Sequence, residues 1–132
     1  PIFIEAESAN IGKCKIPHEF FNQMKKSPRL EIIRTEEERI HELVETYSIY
    51  SQKELKEAVL RIRKRLGPQR TSIAINAIEK KEWSKVCKAV LEYYDKCYDY
   101  ENKKNEKIKK INMCNIDPEV FYKDLDINSL YF

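Results

Sequence analysis

The spacing of apolar positions along the chain changes near residue 35. Before it, "IFIEA" (2–6) and "RLEIIR" (29–34) are short β-rich apolar runs bounded by charge, and both read as strands. The first is a near-continuous apolar run, the pattern of a strand buried on both faces of a parallel sheet. Between them, "IPHEFFNQMKK" places Pro17 at a first helical turn and Phe20, Phe21 and Met24 at helical spacing. Strand, helix, strand is the order of a βαβ crossover, so the predicted class is α/β with a parallel sheet of few strands, followed by a mainly helical region.

From Arg34 onward the period is 3.6. Thr35 with Glu38 is a capping-box pair, and the helix it opens carries Ile40, Leu43, Val44, Tyr47 and Tyr50 on one stripe. Ser51 with Glu54 repeats the signal ahead of Leu55, Val59, Ile62 and Leu66. Gly67 is the expected stop, and Pro68 restarts the chain as a first-turn proline. A further helix is predicted over 71–80 with Ile75 and Ile78 inward. Another runs from Glu82 to about Cys97, with Trp83, Val86, Val90 and Tyr93 at core spacing. The polar run "ENKKNEKIKK" (101–110) reads as a solvated helix or linker, "INMC" (111–114) as one more short strand, and Asp117-Pro118 as the start of a short helix reaching about Leu125. The expected organisation is a single domain over 1–132, with a strand-helix-strand part over 1–34, a helical part over 35–104 and a weakly specified tail over 105–132.

Composition narrows the class. Hydrophobic residues make up 42% and charged residues 36%, with only two glycines and five prolines, a balance that fits a folded, helix-rich domain better than a disordered tail. The net charge of +3 is the difference of 25 basic and 22 acidic residues, so any anion site has to be local. Cys14, Cys87, Cys97 and Cys114 show no CxxC spacing, which points to reduced thiols in a cytoplasmic protein over a zinc site or a disulfide framework. No apolar run approaches the ~20 residues that span a bilayer, so no membrane partner is expected.

Three stretches could carry chemistry. "IFIEAES" ends an apolar strand in Glu5 and Glu7, where acids can hold a magnesium ion directly or through water; ordinary strand-end solvation makes the same pattern, and no GxxxxGK[ST] loop is present. "RIRKRLGPQR" (61–70) holds five cations in ten positions. At about 100° per residue, Arg61 and Arg65 lie along one border of the apolar stripe, and Arg70 arrives from beyond the Gly67-Pro68 break. Guanidinium forks suit phosphate oxygens, and cations in a last helical turn also complement the helix dipole, so phosphate binding and a solvated face stand level on spacing alone. "LEYYDKCYDY" (91–100) contains four tyrosines; Tyr93 falls on the core stripe, while Tyr94 and Tyr98 are candidates for stacking on unpaired bases. His18 and His41 lack the partner pattern of a catalytic histidine.

In their order and spacing, "IEAESANIG" with Ile16-Pro17, "TEEERIHELVETY" with Arg39, Leu43 and Tyr47, "RLGPQR" and "LEYYDKCY" resemble the signatures of the tRNA 2-selenouridine synthases, over about residues 1 to 104. The resemblance implies a P-loop-type sheet and a tRNA-modifying transferase that replaces the sulfur of 2-thiouridine at the wobble position by selenium, by way of a geranylated intermediate. Selenophosphate and geranyl diphosphate would be its substrates, tRNA its partner and magnesium a possible ion. Such enzymes join a rhodanese-like domain bearing a reactive Cys to a P-loop domain, and this chain matches the later part of the second. None of its cysteines stands in a rhodanese-type loop, so no catalytic residue is assigned, and the missing parts are expected from an N-terminal rhodanese/P-loop segment or a separate chain. By the same resemblance Glu5 and Glu7 fall at the acidic strand end, while Arg61, Arg65, Gln69 and Arg70 would contact tRNA phosphates or a pyrophosphate leaving group. Lys96 replaces the Pro that usually follows the family's Tyr-Tyr-Asp, which puts a turn after Asp95 in question. Two other classes fit the same residues: a non-enzymatic RNA-binding helical module, and the lid of a P-loop small-molecule kinase relative.

Overall fold

The computed structural model describes residues 2–6 and 8–124. The chain is α/β and divides into two compact units, residues 34–101 and the segments 1–33 and 102–132 that flank them in sequence.

In the flanking unit, β1 (Asn10–Ile11) and β2 (Cys14–Lys15) form a small antiparallel hairpin. Its two-residue loop has Gly12 at the first central position with φ of 60°, the left-handed conformation that hairpin turns of this length ask of glycine. Helix α1 (His18–Lys26) follows, with Pro17 at its N-cap; at its end the Ser27 N–H and Oγ both donate to the Gln23 carbonyl, at 3.0 and 2.8 Å. Strand β3 (Arg29–Ile33) pairs in parallel with β4 (Ile108–Asn112), Arg29 opposite Ile108 and Ile33 opposite Asn112. The ladder is closed at both ends, by the Arg29 N–H on the Lys107 carbonyl and the Met113 N–H on the Ile33 carbonyl, each 2.8 Å. Asn102 is pinned beside it, accepting from Arg29 Nη1 at 3.2 Å and donating to Glu31 Oε1 at 3.1 Å. Helix α6 (Pro118–Asp124) begins at the proline, as expected.

The parallel sheet is therefore present, but with a different partner from the one expected. Residues 2–6, read as the first strand, pair with no strand among the described residues, and Ile2 is 90% exposed. A strand exists only where a neighbour takes its backbone hydrogen bonds about 4.8 Å away. Here that neighbour of β3 comes from 108–112, partly inside the run read as a solvated helix or linker; the lysines between Ile108 and Ile111 hid it.

The central unit contains α2 (Glu36–Tyr47), α3 (Gln52–Leu66), α4 (Pro68–Glu79) and most of α5 (Trp83–Asn102). Both capping boxes form: the Glu38 N–H donates to Thr35 Oγ1 at 3.1 Å while the Thr35 N–H donates to Glu38 Oε2 at 2.8 Å, and Ser51 and Glu54 repeat the exchange. Gly67, at φ 86° and ψ 160°, ends α3 and starts α4, with Pro68 as the first helical residue. That backbone region is essentially glycine's alone, so one residue serves both as stop and as corner. Helix α4 accordingly starts three residues before position 71. Val59, Leu66, Ala74, Ile78 and Ala89 form the buried core, with Leu55, Ile62, Ile75, Trp83, Val86 and Tyr93 packed around it. Tyr47 and Tyr50, expected inward, are half exposed; α2 ends at Tyr47, so helical spacing no longer places Tyr50. Among the described residues no helix is long and apolar enough to cross a membrane.

Candidate functional site

Helix α3 presents its core stripe at Leu55, Val59, Ile62 and Leu66 and turns Arg61, Arg63, Lys64 and Arg65 outward, all four exposed. Glu57, Leu60, Arg61, Arg63 and Lys64 line an open, shallow depression on that helix. Several other cations of this unit are engaged, Arg34 with Glu38 at 3.0 Å, Lys56 with Glu79 at 2.8 Å, Lys85 with Glu82 at 2.8 Å and Lys88 with Glu36 at 2.7 Å, whereas Lys53, Lys80, Lys81 and Lys96 are exposed without an ion pair among the described residues. No carboxylate among the described residues pairs with Arg61, Arg63, Lys64 or Arg65. Three of them, Arg63, Lys64 and Arg65, occupy the last turn, where they also complement the helix dipole.

The predicted anion contacts thus separate. Arg61 and Arg65 remain available one turn apart, and Gln69 is exposed near the start of α4. Arg70 is not available in the same way, because its Nε donates to Glu92 Oε2 at 3.2 Å. Glu5 is exposed, while Glu7 lies outside the described residues. No group of three or more His, Cys, Asp or Glu side chains among the described residues is arranged to hold a metal ion. The four cysteines are free thiols.

Helix α5 arranges the tyrosines. Tyr93 packs on the core, and its hydrogen bond with Cys97 holds its hydroxyl above the ordinary tyrosine range, against the lowering pull of the Arg65 charge. Tyr94 meets Tyr93 edge-on, with ring centroids 5.2 Å apart, and stacks on Tyr98 at 6.4 Å and 29°.

One pairing joins two of the separated sequence signatures. Arg39 grips Asp95 with both guanidinium nitrogens, Nη1 donating to Oδ2 at 3.2 Å and Nη2 to Oδ1, which holds the Arg39 pKa above its usual value. The fork fastens α2 to α5, and fork-to-fork geometry is the strongest that these groups offer. Both residues stand in the quoted motifs, but nothing in their spacing shows a contact across 56 positions. The family model described as the tRNA 2-selenouridine synthase AAA domain matches residues 1–120.

The chain belongs to that family. Its α/β fold is accordingly of the P-loop-like AAA kind, and membership gives it a role in tRNA 2-selenouridine synthesis, within a family of tRNA-modifying enzymes whose substrate is tRNA. No curated protein and no solved structure gives a significant match. The AAA-domain residue Lys96 causes no turn: α5 runs unbroken through Asp95 and Lys96 to Asn102.

Proposed function

We propose that this chain serves tRNA 2-selenouridine synthesis as a polyanion-binding part of the synthase, with Arg61 and Arg65 of α3 on backbone phosphates of tRNA and Gln69 beside them. The carrying observation is that these arginines cluster with Arg63 and Lys64 at the C-terminal end of the basic helix α3, all four exposed and none meeting a carboxylate among the described residues. Guanidiniums without a carboxylate need not give up an ion pair when a phosphate arrives, and their planar forks match its oxygens. Arg70 takes the lesser part, since a phosphate must compete with Glu92 for it.

In this reading geranyl diphosphate alkylates the thiouridine sulfur with loss of diphosphate, selenophosphate then forms C–Se as C–S breaks and geranylthiol leaves, and hydrolysis of the P–Se bond releases phosphate. The 132 residues contain no GxxxxGK[ST] loop and no rhodanese-type thiol, so those functions would come from a further segment or a second chain. The test is genetic and chemical. Deleting the coding sequence of this chain in its source cell should remove 2-selenouridine from digested tRNA, measured by mass spectrometry. Restoring the wild-type sequence should return it, and the Arg61→Ala/Arg65→Ala version should return less. Selenouridine unchanged by the deletion would overturn the proposal.

A further inference from the structure

Helix α5 carries an aromatic row that takes no part in phosphate binding by α3. The row is continuous: Tyr93 to Tyr94 at 5.2 Å, then Tyr94 to Tyr98 at 6.4 Å with rings 29° from parallel. Tyr93 is committed to the core, whereas Tyr94 and Tyr98 are 39% and 56% exposed. Two aromatic rings stacked on each other and left open to solvent offer a flat apolar face of the kind that base-binding surfaces use.

Cations of neighbouring helices stand near both ends of the row, which also carries the exposed Asp99 beside Tyr98. At one end Tyr93 packs against the core cluster that includes Leu66 of α3, the residue next to Arg65. At the other, the Arg39 fork holds Asp95, one helical turn before Tyr98 on α5. Asp95, placed between Tyr94 and Tyr98 in sequence, would repel a passing phosphate, but its carboxylate is neutralised by the Arg39 fork. An aromatic face adjoining cations, with the intervening acid already paired, accepts a base and its phosphate together.

We propose that Tyr94 and Tyr98 form a stacking platform for an unpaired nucleobase whose neighbouring phosphate lies on Arg65 and Arg61, so that this surface takes single-stranded RNA in preference to duplex. The role rests on the polyanion reading and adds the strand type to it. In a duplex the bases are stacked on one another and cannot reach a protein ring without unpairing. A base held on tyrosine needs no hydrogen-bond readout, so the platform accepts any base.

The test uses the whole chain and three labelled probes read by fluorescence anisotropy: an oligouridylate of about 12 nucleotides, an abasic strand of equal length, and an RNA duplex of about 12 base pairs. Wild type should bind the oligouridylate roughly 5- to 150-fold more tightly than the abasic strand, the span expected of one base stack. The Tyr94→Leu/Tyr98→Leu variant, which keeps apolar bulk, should lose that preference while holding the abasic strand unchanged; Tyr94→Phe/Tyr98→Phe should keep it. Equal wild-type binding of the two strands, or a preference that survives the leucines, overturns the platform while leaving phosphate binding intact. Absence of salt-sensitive binding to all three probes overturns the polyanion reading and the platform with it.

Discussion

Replacing Arg61 and Arg65 by Ala should change how tRNA affinity responds to salt more tellingly than it changes affinity at any one salt concentration. Both side chains are exposed and meet no carboxylate among the described residues, so their removal strips two phosphate contacts without orphaning an acid. Each contact contributes roughly 0.7 to 0.9 to the slope of log K against log salt, so the double variant should flatten that slope by about 1.4 to 1.8. Between about 50 and 200 mM salt, wild-type affinity should therefore fall by roughly 7- to 12-fold more than that of the variant. Arg70→Ala is the internal comparison: Arg70 is held by Glu92 at 3.2 Å, so its loss should move the slope by less than one full contact. The assay is a filter-binding or anisotropy titration with unmodified tRNA at four or five salt concentrations. Parallel lines for wild type and the Arg61/Arg65 variant would refute the reasoning, and would return these arginines to a solvated, dipole-complementing face.

Other expectations follow from the same structure. Ile78→Ala removes a fully buried side chain from the core of the central unit and should cost about 2–5 kcal/mol in denaturant unfolding; a loss under about 1 kcal/mol would mean that the core is not built around it. Gly67→Ala meets no atom within 4 Å, yet should destabilise by about 1–3 kcal/mol because φ of 86° with ψ of 160° strains any residue with a Cβ; an unchanged melting temperature would contradict the assigned corner. Asp95→Asn breaks the fork to Arg39, but both side chains are about one-third or more exposed, so solvent screening limits the cost to about 1 kcal/mol or less in the same unfolding assay. The Glu54 carboxyl, held below its ordinary range by its hydrogen bonds to the Ser51 side chain and backbone, favours the folded state above the unfolded glutamate value, and that contribution is lost as pH falls through the lowered one. Acid melts of wild type should thus carry a component missing from Glu54→Gln, whereas the raised Arg39 pKa contributes throughout the neutral range and adds no slope there.

Much of the local structure was legible because its causes lie within four residues. Thr35/Glu38 and Ser51/Glu54 exchange hydrogen bonds with their own backbone, so their sequence pattern is the cap itself. Gly67-Pro68 carries its turn in the two residue types, one permitting positive φ and the other lacking an N–H. The Gly12 hairpin had a glycine at its turn, but its two-residue strands, Asn10–Ile11 and Cys14–Lys15, are too short and too mixed in polarity to show a strand pattern.

What the tertiary structure decided is which partner each of these elements meets. Residues 2–6 carry the stronger strand pattern, yet β3 takes residues 108–112 as its neighbour, because strand formation depends on a second backbone and no local preference names it. The same holds for charge: "RIRKRLGPQR" presents its arginines alike, and only packing against α5 binds Arg70 to Glu92 and leaves Arg61 and Arg65 without a carboxylate. Arg39 and Asp95 likewise became a pair only once α2 and α5 lay side by side. By itself the sequence determined the class, the two capping-box helix starts, the Gly67 stop, the inward face of α3 and the family signatures, all set by neighbours along the chain. Which cations are engaged and which tyrosines face water was decided by contacts between distant segments, whose free energy exists only after the chain has folded.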